Sequence, residues 1–316
     1  MLRLHTMEKT GYILIKSITW IIQLFPLRVN YLFSDLFFVL GYHVIRYRRN
    51  VVAENLANSF PEKTRKEREL IARKFYKHFS DSFVETLYFD RISFAEGKNC
   101  VKILNPELLN DYLDQGRQVL TFFGHYNNWE WFCNLPLYTN HKCYAVYKKL
   151  KSGAFERFYF NLRNRFGAIP LEKAATFKQL VSDHQKGVPS MSAFLFDQTP
   201  KSFEIQHWVT FLNQDTPVVL GAEKIAQKLD TVVLFLHSRK IKRGSYETEF
   251  QLVTDHAGRC PKYEITDKCT LLLEQQIIAN PEFWLWSHKR WKHKREKNDE
   301  NDKTVHSLEE QSISNK

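Results

Sequence analysis

Short apolar runs alternate with stretches of helical periodicity between residues 118 and 237. Apolar runs of about four to eight residues predict buried strands, and the periodic stretches predict helices that cover them. Strands are expected at 118–123, 142–147, 189–196 and 231–237, and helices at about 129–137, 153–166, 172–185 and 218–229. Single-step alternation over 246–254 predicts an added antiparallel strand. The order predicts an α/β fold with a mixed, mostly parallel sheet flanked by helices.

A long amphipathic helix is predicted over residues 64–90, upstream of the sheet. Its apolar side chains recur at helical spacing, and Lys and Arg lie on the opposite side. The side that is expected to be apolar carries Leu70, Ile71, Phe75, Phe79, Phe83 and Leu87.

The N-terminus contains two apolar stretches, at residues 11–25 and 31–45. In the first, Lys16, Thr19 and Gln23 fall at helical spacing and leave a wide apolar face, as in a helix that lies in a membrane interface. The second is followed by a basic cluster suited to the cytoplasmic leaflet, formed by Arg46, Arg48 and Arg49. Neither reaches the length of about 18 to 20 uninterrupted apolar residues that predicts a transmembrane helix, so membrane helices and core helices both remain open. No small-residue cleavage site follows the first stretch, and no cleaved signal peptide is expected.

These patterns divide the chain into three parts. Residues 1–50 are expected to form membrane-associating helices, residues 51–297 an α/β domain, and residues 298–316 a tail. The tail is polar, mixed in charge and poor in apolar groups, so it is predicted to be disordered.

The composition agrees with work at a membrane surface. The chain has 46 Lys and Arg against 35 Asp and Glu, a net charge of +11, which favours nucleic acid or acidic lipid headgroups as partners. The 25 Phe, 14 Tyr and 7 Trp favour the lipid, because aromatic rings with one polar end suit the interface. A membrane is therefore the expected partner, and nucleic acid is not. Five cysteines without metal-ligand spacing are expected to be reduced core residues of a cytoplasmic domain.

The first predicted strand ends in a loop that carries an imidazole and a carboxylate, His125 and Glu130. An imidazole with its ordinary pKa of about 6.5 can remove a proton from a hydroxyl. A carboxylate bound to its other ring nitrogen would stabilise the imidazolium that forms. A helix that begins at Asn127 or Asn128, both good N-caps, would let the two side chains converge. Taken alone, this spacing also fits an ordinary polar loop.

Asp197 follows another predicted strand, as His125 does. In an open α/β sheet, ligands collect beyond the carboxyl ends of the strands. We therefore expect both side chains to project to the same edge of the sheet. For Asp197, a helix or turn cap is the alternative role.

The segment Gly124–Trp131 resembles the H-x4-D/E motif of the glycerolipid acyltransferases, in the H-x4-E form of the lipid A secondary acyltransferases (lauroyl and myristoyl transferase type). Further blocks resemble that family in the expected order. They are Val146–Leu150 with 155–167, which holds an R-x3-G at Arg163, the D/E-Q block at Phe196–Pro200, the C-terminal signature at Asn280–Lys292, and upstream the segment Arg46–Glu85. The resemblance covers roughly residues 10 to 295. Thr199–Lys201 and Ser202–Val209 depart from it, since many relatives have a Gly-rich turn and a Phe-Phe-Gly there.

The resemblance implies an enzyme that moves a fatty acyl group from acyl-acyl carrier protein to a hydroxyl of a lipid A precursor, at the cytoplasmic face of the inner membrane. His125 would be the general base and Glu130 the acid that orients it. The residues expected to bind substrate are Arg163, Asp197, Gln198 and Asn128, with Arg163 on a phosphate or a developing oxyanion. No metal or cofactor is expected. The sequence has no G-x-S-x-G elbow, which argues against a covalent acyl-enzyme.

Two other functions remain open at this point. One is a relative that acts on another acceptor, such as an acylated amino acid lipid or a glycerolipid. The other is a non-enzymatic basic module that binds membranes or nucleic acid. The cluster of Trp284, Trp286 and Trp291 beside basic residues is expected to form an interfacial aromatic belt, with a nucleic-acid stacking patch as the alternative.

Overall fold

The chain begins with two helices that pack on the rest of the fold. The computed structural model describes residues 2–295, so the predicted tail at 298–316 lies outside the described residues. Helix α1 is Leu2–Gln23 and helix α2 is Leu27–Val39, which a π-helical turn extends through Leu40–Val44. Between them, the Asn30 side chain donates to the carbonyls of Ile22, at 2.7 Å, and Phe25, at 3.0 Å. These bonds satisfy carbonyls that the end of α1 leaves without a helical partner.

The remaining elements form the α/β part of the fold. Its helices are α3 (Arg49–Ser59), α4 (Arg65–Phe89), α5 (Phe94–Cys100), α6 (Pro106–Asp114), α7 (Gly153–Asn164), α8 (Lys173–Gln185), α9 (Gly221–Leu229) and α10 (Glu264–Ala279). Its strands are β1 (Val101–Ile103), β2 (Val119–Phe123), β3 (Lys142–Tyr147), β4 (Ile169–Glu172), β5 (Ser190–Leu195), β6 (Trp208–Phe211), β7 (Gln214–Pro217), β8 (Val232–Lys242) and β9 (Ser245–Thr254). A 3₁₀ segment spans Trp129–Tyr138.

Seven strands form one sheet in the order β1-β9-β8-β2-β5-β3-β4. Its neighbours are parallel except for β8 and β9, while β6 and β7 form a separate antiparallel hairpin. The predicted α/β fold with a mixed, mostly parallel sheet is therefore confirmed, as is the antiparallel addition of β9. The sequence did not indicate β4, because its four residues include Pro170 and are at most half-buried.

The predicted helix at 129–137 is a 3₁₀ segment rather than an α-helix. Pro136 lies inside it, and a proline has no N–H to donate to the preceding turn. Its N-terminal flanking residue Asn128 makes no side-chain capping bond. The predicted position of Asn128 at the N-cap is confirmed, but its side chain does not cap the segment, because its amide binds Glu85, as described below.

Strand β2 lies in the middle of the sheet, and all five of its residues are buried. Leu120 and Phe122 face a core shared with α8, α9 and α10. Val119 and Phe123 face the opposite core, shared with α6 and α7. Burial on both faces explains why this strand is a continuous apolar run without alternation.

Helix α4 supports both the sheet and the N-terminal helices. Its N-cap Thr64 and Glu67 form a capping box, which fixes the start of the helix close to the predicted residue. The predicted apolar side is only partly correct, because Leu70 and Phe83 are exposed. Phe83 contacts Phe37 of α2 edge to face, with ring centroids 5.9 Å apart.

Helices α1 and α2 present large apolar side chains to the outside. We call this the N-terminal apolar surface, formed by Ile13, Leu14, Ile18, Trp20, Ile21, Leu24, Phe25, Val29, Leu32, Phe33, Leu36, Phe37, Val39 and Leu40. Tyr31 and Ser34 of α2 point inward, where Tyr31 donates to Glu85 at 2.8 Å and Ser34 to Asp81 at 2.6 Å. Within residues 2–295, none of the helices has the length and hydropathy needed to cross a bilayer.

Candidate active site

The candidate site begins where β2 ends, at Gly124. A Cβ atom on residue 124 would lie 2.6 Å from Leu273 Cδ1 and 3.2 Å from Asp197 Oδ2, so only glycine fits without movement of its neighbours. Three residues later, Asn127 has a φ of 55°, in the left-handed region. The chain therefore turns sharply after β2 and holds His125 within the bend.

His125 is buried and bound by Asp197. Its Nδ1 lies 2.6 Å from Asp197 Oδ1, and its backbone N–H donates to Asp197 Oδ2 at 2.8 Å. The two residues meet because β2 and β5 are parallel neighbours, with Phe123 paired to Leu195. The expectation that both side chains project to the same sheet edge is confirmed.

The environment of Asp197 keeps its carboxylate ionised. Burial acts to raise the pKa of Asp197, but the charge and hydrogen bonds of His125 and the Trp284 indole N–H, at 2.8 Å, outweigh it and lower the pKa to about 2. The carboxylate accepts three N–H bonds in total. An ionised acceptor at Nδ1 favours the tautomer that carries its proton there and leaves Nε2 basic.

The second ring nitrogen of His125 faces Gln198 and Trp129. Gln198 Nε2 lies 3.0 Å from His125 Nε2, so the amide can donate to the lone pair when the proton is on Nδ1. The Trp129 ring contacts the imidazole edge to face, with centroids 5.0 Å apart. Gln198 itself is exposed, and the basic nitrogen is therefore one side chain away from solvent.

Glu130 binds Arg163 rather than His125. Its Oε1 lies 3.0 Å from Arg163 Nη2, and its Oε2 accepts from Nη2 at 3.2 Å and from Nε at 3.3 Å. Burial acts to lower the pKa of Arg163, but the charge of Glu130 outweighs it and raises that pKa. The rings of Tyr147 and Tyr159 lie 5.2 and 5.3 Å from the guanidinium carbon.

The predicted hydrogen bond between His125 and Glu130 is therefore wrong, because the acid that binds His125 is Asp197. Asp197 occupies the far nitrogen, and the 3₁₀ segment that begins at Trp129 carries Glu130 to helix α7 instead. Arg163 is largely buried, with 16% of its side chain exposed. The catalytic role of Glu130 stays a prediction.

Asn128 is held inside the protein by Glu85 of helix α4. Its amide donates to Glu85 Oε2 at 3.0 Å, and Glu85 is fully buried. The same carboxylate accepts from Tyr246 at 2.7 Å, Tyr31 at 2.8 Å and the backbone N–H of Gly244 at 3.0 Å. The Glu85 carboxylate therefore accepts four hydrogen bonds and ties the loop after β2 to helix α4. Through this contact, Asn128 positions the loop that carries His125.

The C-terminal signature closes the site from the other side. The backbone N–H of Leu285 donates to the carbonyl of His125 at 3.1 Å, and that of Asn127 donates to the carbonyl of Phe283 at 2.9 Å. Trp284, whose indole binds Asp197, is 2% exposed. Residues 283–285 therefore hold the backbone and the carboxylate of the site together.

Trp284, Trp286 and Trp291 do not form the expected interfacial belt. They are 2%, 0% and 8% exposed and pack on one another, with Trp284 and Trp286 at a centroid distance of 4.8 Å. The prediction is wrong because the aromatic residues of this segment pack into the core, while Lys289 and Lys292 are exposed.

The sequence of nearly the whole described fold matches a known protein family. The sequence profile of the bacterial lipid A biosynthesis acyltransferases matches residues 2–293. The chain belongs to this family. A search of curated proteins found no match at the threshold applied.

Membership in the lipid A biosynthesis acyltransferase family makes the chain an acyltransferase and supports a role in lipid A acylation. It also confirms the resemblance read from the four sequence blocks. Acyl transfer to a hydroxyl needs a base near an accessible surface, and His125 Nε2 has this position. The basic binding module without enzymatic activity is not supported.

Two residues of the candidate site were not indicated by the sequence. Glu85 was read only as the end of an upstream block, although a carboxylate on the apolar half of an amphipathic helix was a signal that it needed buried partners. Trp284 was read as interfacial, and no local pattern indicated that its N–H reaches Asp197. Both act through contacts between distant segments.

Proposed function

We propose that the protein transfers a fatty acyl chain from acyl-acyl carrier protein to a free hydroxyl of a lipid A precursor. The observation that carries this proposal is the buried His125–Asp197 pair at the carboxyl edge of the sheet, with Nε2 on the side of the exposed Gln198. Family membership supports lipid A as the acceptor class. The acyl group arrives already activated as a thioester, so the reaction needs no cofactor.

In this mechanism, the acceptor hydroxyl displaces the Gln198 amide from His125 Nε2. His125 removes the hydroxyl proton while the alkoxide oxygen attacks the thioester carbonyl and forms a tetrahedral oxyanion. Asp197 stabilises the imidazolium that results. Collapse of the intermediate breaks the carbon–sulfur bond, and the imidazolium returns its proton to the departing thiolate.

Glu130 and Arg163 have a supporting role in the proposal. Glu130 binds Nε and Nη2 of Arg163, which leaves Nη1 as the nitrogen available to a substrate. A guanidinium held in this way is suited to an acceptor phosphate or to the developing oxyanion. The proposed mechanism therefore keeps both motif residues in the site, with Asp197 as the acid that contacts His125.

The test uses the purified full chain, acyl-acyl carrier protein and a lipid A precursor with a free hydroxyacyl chain, in one fixed detergent. We expect a lipid product heavier by one acyl group, with one carrier thiol released per product. Mass spectrometry of the lipids and a thiol assay measure the two products. If acyl-acyl carrier protein were consumed with glycerolipids or acylated amino acid lipids but not with lipid A precursors, the proposed acceptor would be wrong. Lipid mass spectrometry of a deletion strain provides the same comparison in the cell.

We also propose that the protein works at the cytoplasmic face of the inner membrane. The N-terminal apolar surface is larger than the isolated apolar residues that a soluble monomer ordinarily exposes. Arg46 and Arg48, which follow the π-helical turn, are exposed beside it. Apolar side chains next to basic ones favour a surface that enters the headgroup region and attracts anionic lipids.

The membrane proposal predicts that the protein sediments with membranes and resists extraction by high salt. Leu32 and Leu36 are 69% and 51% exposed on α2, and burial of each leucine in lipid contributes about 1.5–3 kcal/mol. The variant L32E/L36E should therefore lose about a hundredfold or more in vesicle partitioning. Flotation with vesicles of fixed composition measures this change.

The matched control places the same charges on helix α10. Leu271 and Ile278 are 52% and 57% exposed there, so L271E/I278E should partition as the wild type does. If high salt alone released all of the wild-type protein from membranes, the N-terminal apolar surface would not contribute to membrane binding.

A further inference from the structure

Two segments beside the candidate site form one continuous outer surface. The Thr199 hydroxyl donates to the carbonyls of Lys289, at 3.1 Å, and Arg290, at 2.7 Å. His293 Nε2 lies 3.2 Å from the carbonyl of Pro200. The loop after Gln198 and the C-terminal segment therefore lie side by side. We call their exposed side chains the mouth surface, formed by Lys201, Phe203, Lys289 and Lys292.

The mouth surface is basic and has an apolar centre. Lys201, Lys289 and Lys292 are exposed, and within residues 2–295 none of their ammonium groups pairs with a carboxylate. The nearby Glu204 lies 3.9 Å from Lys173 and accepts the backbone N–H of Lys201 instead. The arrangement leaves three positive charges available to an acidic partner.

Phe203 is the apolar centre of this surface. It is 76% exposed, more than any other large apolar side chain in the described part of the chain. Lys201 Nζ lies 5.1 Å from its ring centroid. An exposed aromatic ring with a cation against it resembles the core and rim of a transient protein interface.

The mouth surface lies close to the proposed base. Gln198, which contacts His125 Nε2 at 3.0 Å, directly precedes Thr199, whose hydroxyl binds the Lys289 carbonyl. A macromolecule bound there would therefore place a flexible prosthetic arm at the entrance to the site. A donor that carries its thioester on such an arm needs this geometry, whereas a small thioester does not.

We propose that the mouth surface docks the carrier protein that brings the acyl donor, through its acidic face. Complementary charge steers such encounters and raises the association rate. The proposal rests on the proposed acyl-carrier donor and adds where that donor binds. The N-terminal apolar surface is the one assigned to the membrane.

The test compares the wild type with K201E/K289E/K292E in steady-state kinetics, in the same detergent and at two salt concentrations. We expect kcat/KM for acyl-acyl carrier protein to fall about 10- to 100-fold at low salt, mostly through KM, since like charges now face each other. The activity with the acyl-phosphopantetheine thioester, which lacks the carrier protein, should remain unchanged. F203S should lower kcat/KM for the carrier donor alone, by about threefold to tenfold.

The control carries the same change of charge elsewhere. Lys186, Lys228 and Arg259 are exposed near the starts of β5 and β8, at the sheet edge opposite the site. The variant K186E/K228E/R259E should keep the wild-type kcat/KM for both donors. An equal loss in this control would mean that net charge, and not a docking surface, governs the reaction.

The remaining outcomes separate this proposal from the proposed function. A wild type that uses acyl-phosphopantetheine but not the carrier donor would overturn the proposed donor itself. A wild type that uses the carrier donor, with an unchanged KM in K201E/K289E/K292E, would overturn the docking surface alone. Equal losses with both donors, or release of that variant from anionic phospholipid vesicles, would assign these lysines to the lipid and overturn the inference.

Discussion

His125→Ala is expected to lower kcat by about a hundred- to ten-thousand-fold, because the variant loses the proposed general base. In the structure, Nε2 is the ring nitrogen that points to the exposed side of the site, and Nδ1 is bound to Asp197. The measurement is single-turnover acyl transfer with saturating donor and lipid, which isolates the chemical step.

A surface pair of the same kind provides the control for His125→Ala. His141 Nε2 lies 2.7 Å from Asp114 Oδ1, a distance close to that in the candidate pair, but His141 is partly exposed and Asp114 is exposed. His141→Ala should keep the wild-type kcat. Unfolding by urea verifies that both variants fold. Retention of more than about a tenth of the wild-type rate by folded His125→Ala would refute the general-base mechanism.

Asp197→Asn should produce the second large loss, again about a hundred- to ten-thousand-fold in kcat. The carboxylate accepts from three N–H groups, and an amide of the same shape must turn its NH₂ towards at least one of them. The variant also removes the charge that stabilises the imidazolium. Since the pKa of Asp197 is lowered to about 2, the wild-type carboxylate is ionised at every pH above about 4, and the loss should persist across the neutral range.

Glu130→Gln is the decisive comparison for Asp197→Asn. Glu130 contacts Arg163 and not the imidazole, so its loss should act through the position of the guanidinium. We expect a smaller fall in kcat than for Asp197→Asn, with a rise in KM if Arg163 binds the acceptor in the ground state. A larger fall in kcat for Glu130→Gln, with Asp197→Asn near wild type, would restore Glu130 as the acid that serves His125.

The sheet could be predicted from the sequence because its central strands are buried on both faces. The runs at 118–123 and 189–196 are mostly apolar, and parallel neighbours of this kind carry their following loops to the same edge. His125 and Asp197 follow these two strands and meet at that edge, with 2.6 Å between His125 Nδ1 and Asp197 Oδ1. The antiparallel β9 was predictable for a different reason, since it alternates in single steps.

The partner of His125 could not be predicted in the same way. Spacing along the chain favoured Glu130, five positions away, but the left-handed turn at Asn127 and the 3₁₀ segment after it direct Glu130 to helix α7. A motif identifies which residues matter and leaves open which atoms touch. Trp284 shows the same limit. Its basic and aromatic neighbours in the sequence predicted a position at the membrane interface, but tertiary packing buries it.

The closure of the site by residues 283–285 has a consequence for synthesis of the chain. Leu285 and Phe283 bind the backbone on both sides of Tyr126, and Trp284 binds the acid of the pair. Leu285 is translated 160 positions after His125, which takes roughly 10 to 30 s at ordinary elongation rates. A nascent chain can form the central strands in that time, but His125 and Asp197 still lack the contacts that residues 283–285 make. The contacts of residues 283–285 with the candidate site therefore form only after the C-terminal part of the described fold has been translated.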